Sequence, residues 1–371
     1  MKIGNKEFVF KFEFKKPKFW QVILGIFLVF ILSIISLFAY YFIKADKMLE
    51  QFASAAELPK ETILNDISSW IQNFQTDYQN KETLETKTNF LVMGTDKISG
   101  REDSPELTDT MILISLDTEK STVKTIALPR DLYNQAYQTR VNALYYYGTE
   151  RYPEDPEQFP QEVIAEMVNL EIDHSIIINI EDLEELIDIL GGVQVTVPVA
   201  FTDDEFPVSG IDVSTETDPE VLYETISFEV GPQEMDGATA LKYMRSRHSE
   251  NDEGSDNARS KRQQLVLESL IAEIKDIRSP EVLGKLYRFY LDKFEKYISI
   301  NEIISILTPL YDQFLNQNDF SISFENKQLS IYPEDPQGAI YNPPQWQTNG
   351  EWLYQIKDQE IFLESFEDFR K

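Results

Sequence analysis

The chain has 371 residues, with 34 lysines and arginines against 64 aspartates and glutamates, for a net charge of −30. So acidic a surface repels phosphate backbones, which disfavours nucleic-acid binding unless the basic residues gather in one place. With no cysteine and two histidines, disulfides, thiolate chemistry and a zinc site are all disfavoured.

Residues 1–18 carry Lys2, Lys6, Lys11, Lys15, Lys16 and Lys18 against Glu7 and Glu13, while Phe8, Phe10, Phe12 and Phe14 alternate with polar residues. Residues 19–43 read FWQVILGIFLVFILSIISLFAYYFI and hold no charge. At helical rise this run exceeds the ~30 Å hydrocarbon core of a bilayer, where a helix satisfies its own backbone hydrogen bonds. Phe19 and Trp20 at one end, and Tyr40, Tyr41 and Phe42 at the other, suit the two interfaces. The lysine excess keeps the N-terminal side in the cytoplasm. A cleaved signal peptide would have a shorter apolar run with a small-residue site close behind it, whereas Ser54-Ala55-Ala56 lies far downstream. The expectation is a single-pass membrane protein with a basic cytoplasmic tail and everything from residue 44 displayed outside.

Residues 44–87 are polar, with Leu49, Phe52, Ile63, Ile67, Trp70, Ile71 and Phe74 at loosely helical spacing, and are read as a helical stalk. Strands then follow at 90–94, 110–116 and 122–128, the last two joined by a turn at 117–121. Next come a helix at 162–169, a strand at 175–180 and a helix at 182–190 that Gly191-Gly192 closes. Strands at 193–197 and 226–230 precede a helix for which Asp236 is the N-cap. Strands interleaved with helices predict an α/β sheet covered by helices. Residues 203–224, rich in Asp, Glu, Ser, Thr and Pro, read as an exposed insertion.

The chemistry gathers at the ends of these elements. Asp96 follows the first strand and Asp109 opens the second. Carboxylates so placed suit a hard cation that shares its shell with phosphate oxygens, and they equally suit turn capping. Arg130 and Asp131 follow the third strand, Arg245, Arg247 and His248 end the helix from Asp236, and Arg259, Arg262 and Gln263 open the next one. Each arginine alone could serve a helix end or a neighbouring acid. As a set in so acidic a chain, they point to phosphate, whose oxygens planar guanidinium groups clamp in pairs. Arg259 and Gln263, four apart, share a helix face, and the acidic loop 249–257 is placed to act as a lid. His248 has a place beside the phosphate, and His174 reads as structural.

Seven blocks in order resemble the LytR-CpsA-Psr family: Gly94-Thr95-Asp96, Thr108-Asp109-Thr110-Met111, residues 126–131 ending in Pro129-Arg130-Asp131, Val141-Asn142-Ala143, residues 190–193 around Gly191-Gly192, Arg245-Ser246-Arg247-His248, and residues 256–264 from Asp256 through Arg259 to Gln264. The resemblance implies an α/β/α domain over residues 88–335 with a central mixed sheet, leaving 336–371 as a C-terminal extension. It further implies an extracytoplasmic phosphotransferase of the bacterial cell membrane. Such an enzyme moves a glycopolymer from a polyprenyl-pyrophosphate carrier to a hydroxyl of peptidoglycan or a related acceptor.

By residue match, Asp96 and Asp109 would hold Mg²⁺ or Mn²⁺. Arg130, Arg140, Arg245, Arg247 and Arg259 would bind pyrophosphate with Gln263 in support, and Asp109 or Asp131 would take the acceptor proton. The implied lipid tunnel would be lined by Ile176, Ile178, Leu186, Ile189, Leu265 and Val266, which serve equally well as plain core. Arg140 stands where the family has lysine, and Leu107 where it has arginine, with Arg101 as a candidate substitute. That missing guanidinium keeps open an alternative, a non-catalytic scaffold that binds polyprenyl-pyrophosphate glycans. DNA binding by so acidic a domain outside the membrane is disfavoured.

Overall fold

The computed structural model describes residues 46–95, 106–208, 211, 218–249, 252–254, 256–275, 277–316, 322–333 and 335–370. The tail 1–18, the apolar run 19–43, Asp96 and Arg101 lie outside the described residues. Among the described residues no helix is long and apolar enough to cross a membrane.

The chain opens with helices α1 (Asp46–Ala55) and α2 (Lys60–Gln79), then strands β1 (Lys87–Thr95), β2 (Thr108–Asp117) and β3 (Thr122–Leu128). A small hairpin, β4 (Tyr133–Asn134) and β5 (Thr139–Arg140), leads to α3 (Leu144–Arg151) and α4 (Gln158–Val168). Then come β6 (His174–Asn179), α5 (Ile180–Leu190), β7 (Val193–Val197) and β8 (Phe201–Pro207). The short α6 (Pro219–Leu222) precedes β9 (Tyr223–Phe228), β10 (Gly231–Met235) and α7 (Gly237–Arg245). Helices α8 (Asp256–Lys275), α9 (Pro280–Lys293) and α10 (Ile300–Asn316) follow in succession. The chain finishes through β11 (Ser323–Gln328), β12 (Ile331–Tyr332), β13 (Ile340–Tyr341), β14 (Gln355–Ile356) and α11 (Gln359–Glu364).

Five strands form the central sheet in the order β11-β3-β2-β1-β6. β2 runs antiparallel to β1 and β3, while β6 and β11 run parallel to their neighbours, so the sheet is mixed. Side-chain alternation divides β1 between two cores. Phe90 and Val92 join Ile112, Ile114, Val123 and Ile176 on one face, under α1, α2, α5 and α7–α10. Leu91 and Met93 join Met111, Leu113, Ile126 and Leu128 on the other, under α4 and the C-terminal segment. Burial on both faces is why β1 reads as a continuous apolar run.

Four expectations change. Residues 46–83 are not a projecting stalk, because Phe52, Ala53, Ala56, Ile63 and Ile67 are buried in the first core. α1 lies so close to α9 that a Cβ on Gly284 would meet the Phe52 carbonyl at 2.3 Å. Residues 203–224 are not simply an exposed insertion: β8 pairs antiparallel with β9, and Phe201, Asp203 and Phe206 point inward. Residues 336–371 are part of the body, where Ala339, Ile340, Phe362, Phe366 and Phe369 close the second core. The strand expected at 226–230 is the end of β9, which stops at Phe228, and residues 229–230 lead into β10, which Gly231 opens at φ 114°.

Candidate active site

The ends of several strands meet at one pole of the sheet. Thr95, at the end of β1, lies opposite both Thr108 and Asn179, and Met111 lies opposite Leu128. The pole therefore gathers the start of β2, the exit of β3 and the start of α5. Asn179 accepts from the Glu181 N–H, Asp182 accepts back from the Asn179 N–H, and this capping box starts α5 at residue 180.

A four-membered ladder of charge stands there. Arg130 Nη1 donates to Asp109 Oδ1 at 2.7 Å, and its Nε lies 3.4 Å from Asp131 Oδ2. Arg140 Nη1 donates to Asp131 Oδ1 at 3.2 Å. Backbone bonds fix the bend, from Asn142 N–H to the Arg130 carbonyl and from Val141 N–H to the Leu132 carbonyl. Thr108, buried, donates its hydroxyl to the Asn142 carbonyl. The C-terminal segment adds a rung, since Tyr354 N–H donates to the Asp131 carbonyl at 2.9 Å and Tyr133 N–H to the Tyr354 carbonyl at 2.8 Å. Burial opposes the charge on Arg130, but Asp109 and Asp131 outweigh it and raise its pKa. Arg130 and Asp109 are about half exposed, at 53% and 50%. Such ion pairs contribute ~1 kcal/mol or less, so a multiply charged anion competes readily for the guanidinium.

The second group of arginines is carried by α7 and α8. Gly237 N–H donates to Asp188 Oδ1 at 2.7 Å, and a Cβ on Gly237 would meet the Glu184 carbonyl at 2.3 Å, so α7 starts hard against the C-terminal half of α5. Helix α7 carries Arg245 in its last turn. Asp203, fully buried, then organises the next residues: its Oδ2 accepts from Ser246 Oγ at 2.6 Å and from the Arg247 and His248 N–H groups at 3.0 and 3.1 Å. Burial alone would raise the Asp203 pKa, but these donors lower it.

Arg262, 1% exposed, donates to the Tyr243 and Ser246 carbonyls, pairs with Glu253 at 3.0 Å and lies over the Phe201 ring. It ties the start of α8 to the end of α7, which removes it from any phosphate-binding set. Arg259, one turn earlier on α8 and half-buried, follows that junction. The Arg247 and His248 side chains are exposed.

Asp109, Arg130, Asp131 and Arg140 are thus brought into direct contact, and Arg245, Arg247 and Arg259 share one junction. The Gln263 side chain lies outside the described residues. Leu107 stands two residues before Asp109 with its side chain 38% exposed. His174 is at the opposite pole, stacked on Phe90 with Nδ1 3.2 Å from the Tyr297 carbonyl. Among the described residues no group of three His, Asp or Glu is arranged to hold a metal ion. Asp109 alone fits the lesser demand of Mg²⁺, which takes one or two carboxylates and completes its shell with water and phosphate oxygens. Ile176 and Val266 are buried, and Ile178, Leu186, Ile189 and Leu265 are partly exposed against the same core.

Asp203 and the Tyr354 rung are supports that sequence reasoning missed, and Arg262, grouped there with the phosphate-facing arginines, is instead a buried structural tie. The one signal for Asp203 was its place between Phe201 and Phe206 in an alternating run.

The model of the LytR_cpsA_psr family matches residues 46–362. The chain belongs to this family. The match begins with α1 and reaches into α11, so it includes both helices once read as a stalk and most of the C-terminal segment. Among curated relatives, the polyisoprenyl-teichoic acid–peptidoglycan teichoic acid transferase TagU of Enterococcus faecalis is 22% identical over 296 residues, which cover 79% of this chain and 83% of TagU. The transferase TagV of Bacillus subtilis is 24% identical over 233 residues, 61% of this chain and 54% of TagV. The solved structure of B. subtilis TagV superposes with a TM-score of 0.46 at 19% identity, covering 76% of this chain and 96% of that one. That of TagT with bound octaprenyl pyrophosphate lipid gives 0.42 at 18% identity, over 77% and 89%.

Proposed function

We propose that this family member is a membrane-anchored, extracytoplasmic phosphotransferase that moves a glycopolymer from a polyprenyl-pyrophosphate carrier to a hydroxyl of peptidoglycan or a related envelope acceptor. The observation that carries the reading is the Asp109–Arg130–Asp131–Arg140 ladder, which sets partly exposed guanidinium groups beside carboxylates where β2 starts and β3 ends. The transferase names of the relatives support it.

The acceptor hydroxyl oxygen forms a bond to the sugar-linked phosphorus, and the bond from that phosphorus to the bridging oxygen breaks. The polyprenyl phosphate departs with that electron pair. Asp109 or Asp131 takes the acceptor proton, and both carboxylates contact the Arg130 guanidinium. Arg130 and Arg140 leave their carboxylates to hold phosphoryl oxygens, where charge builds most steeply in the transition state. Arg245, Arg247 and Arg259 neutralise the departing lipid phosphate. Mg²⁺ or Mn²⁺, held by Asp109 with Asp96, would supply further charge on phosphate oxygens when bound. The apolar run 19–43, spanning the membrane with residues 1–18 inside, would keep this pole near the lipid headgroups.

The test uses the full chain in detergent with a lipid-pyrophosphate oligosaccharide, Mg²⁺ and an acceptor glycan. Transfer is expected, and Asp109→Ala and Arg130→Ala should each lower kcat by about 10²–10³ with the fold intact. Tight binding of the lipid without any turnover refutes the enzyme. It would favour the non-catalytic scaffold, a second reading that rests on exposed Leu107 at the position where the family carries arginine.

A further inference from the structure

We infer that residues 342–354 form an aromatic platform that stacks the pyranose rings of the acceptor glycan beside the transfer site. The inference rests on the transferase reading for the identity of the glycan, while the platform itself is a feature of the surface. Trp346 is 80% exposed and Trp352 54%. Isolated exposed apolar residues are ordinary, but two indoles on one short loop of an acidic protein present a large flat area that water solvates poorly.

The loop is built to hold them. β13 and β14 pair antiparallel at its base, and the Asn342 side-chain amide donates to the Leu353 carbonyl at 2.6 Å across its neck. Pro343 is buried, residues Gln345–Gln347 form a 3₁₀ turn, and Asn349 and Gly350 both adopt positive φ to reverse the chain. Gly350 N–H donates to the Gln345 carbonyl at 2.8 Å, and buried Thr348 donates its hydroxyl to the carbonyls of Gln345 and Glu351. The Trp352 ring meets Tyr354 edge-on, with centroids 6.4 Å apart. The Trp352 indole, braced by Tyr354, loses little conformational entropy when a ligand stacks on it, and Trp346 is carried on a backbone that the 3₁₀ turn fixes.

Position points to the acceptor. Tyr354 is the residue bonded to the Asp131 backbone, and two residues of extended chain carry Trp352 at most about 7 Å from it. This flank follows β3, whereas α7 and α8, the helices that carry the other arginines, pack against α5, which follows β6. Three strand spacings, roughly 14 Å, separate β3 from β6. A donor whose lipid phosphate is held by the arginines of α7 and α8, and whose sugar-linked phosphate meets Arg130 and Arg140, leaves the Tyr354 flank, next to the candidate base Asp131, to the attacking sugar. Uncharged N-acetylated hexosamine rings, with apolar faces and polar rims, match a platform of indoles on an acidic body.

The experiment titrates the full chain in detergent with the tetramer of β-1,4-linked N-acetylglucosamine, following heat of binding and tryptophan emission. Binding with a change in emission is expected in the wild type and is expected to vanish in Trp346→Ala and Trp352→Ala, both of which should still bind polyprenyl pyrophosphate as wild type. In the transfer assay the same variants should raise acceptor KM about tenfold with kcat within about twofold. No binding of the tetramer, or binding indifferent to both substitutions, overturns the platform. In nanodiscs, quenching by brominated phospholipid of the emission that these substitutions remove would also overturn it, by putting the indoles in lipid. The saccharide titration needs no turnover, so the platform can stand if the transferase reading fails. An active enzyme with unchanged acceptor KM in both variants sinks the platform alone.

Discussion

Asp203→Ala tests whether the second group of arginines is positioned from beneath. The buried carboxylate satisfies the Ser246 hydroxyl and the Arg247, His248 and Glu205 N–H groups. Hydrogen bonds to a charged acceptor contribute ~1.5–3 kcal/mol each when isolated, but bonds that share one carboxylate do not add. Removing a buried, fully engaged charge typically costs ~3–5 kcal/mol, a large fraction of the ~5–15 kcal/mol that holds a domain together. Asp203→Asn keeps the shape and loses the charge, and is expected to fall between the two. The assay is urea unfolding followed by circular dichroism, with polyprenyl-pyrophosphate affinity measured on the folded variants, where a loss above tenfold is expected.

The pH dependence has a definite sign. The donors hold the folded Asp203 pKa below its unfolded value of about 3.9. Its contribution is therefore complete above that value and is lost as pH falls through the folded pKa. The gap between wild type and Asp203→Ala should be widest near neutrality and should close in acid. Equal stability within about 0.5 kcal/mol, a margin ordinary for surface substitutions, would refute the argument, as would a gap that does not change with pH.

Gly284→Ala pushes a methyl group into the Phe52 carbonyl and should cost about 1–3 kcal/mol, read as a lower urea midpoint with faster protease cleavage between α1 and α2. Burial raises the pKa of Glu157, so the folded state holds that proton more tightly than the unfolded state does. Stability then falls as pH climbs from the unfolded pKa through the folded one, and Glu157→Gln should unfold at higher urea than wild type at pH 7 and at the same urea in acid. Leu107→Arg places a guanidinium two residues from Asp109 and should tighten pyrophosphate binding about tenfold by calorimetry. Unchanged affinity would mean that this position does not face the phosphate.

How much of this was legible depends on where each residue spends its side chain. β1, β2 and β3 announced themselves because burial on both faces leaves no polar alternation to confuse the pattern. The arginines stood out because so little positive charge surrounds them. Ile63 and Ile67 give a helix the same apolar stripe whether it faces a partner or its own domain, so the docking of α2 was hidden. β8 was lost because its inward residues include Asp203, whose acidic neighbours at 204 and 205 made the stretch look solvated. Two-residue strands such as β13 and β14 carry no period at all, and the C-terminal half of the second core went unread with them.

The rung from Tyr354 to Asp131, and the phenylalanines at 362, 366 and 369 that seal the core behind it, leave a ribosome well after the corner that they back. A nascent chain that has already delivered Arg130, Arg140 and Arg245 still lacks the backing for the corner on which its two carboxylates stand. That corner is therefore braced late in synthesis. A chain that terminates before residue 354 leaves the Asp131 carbonyl and the Tyr133 N–H without their Tyr354 backbone partners.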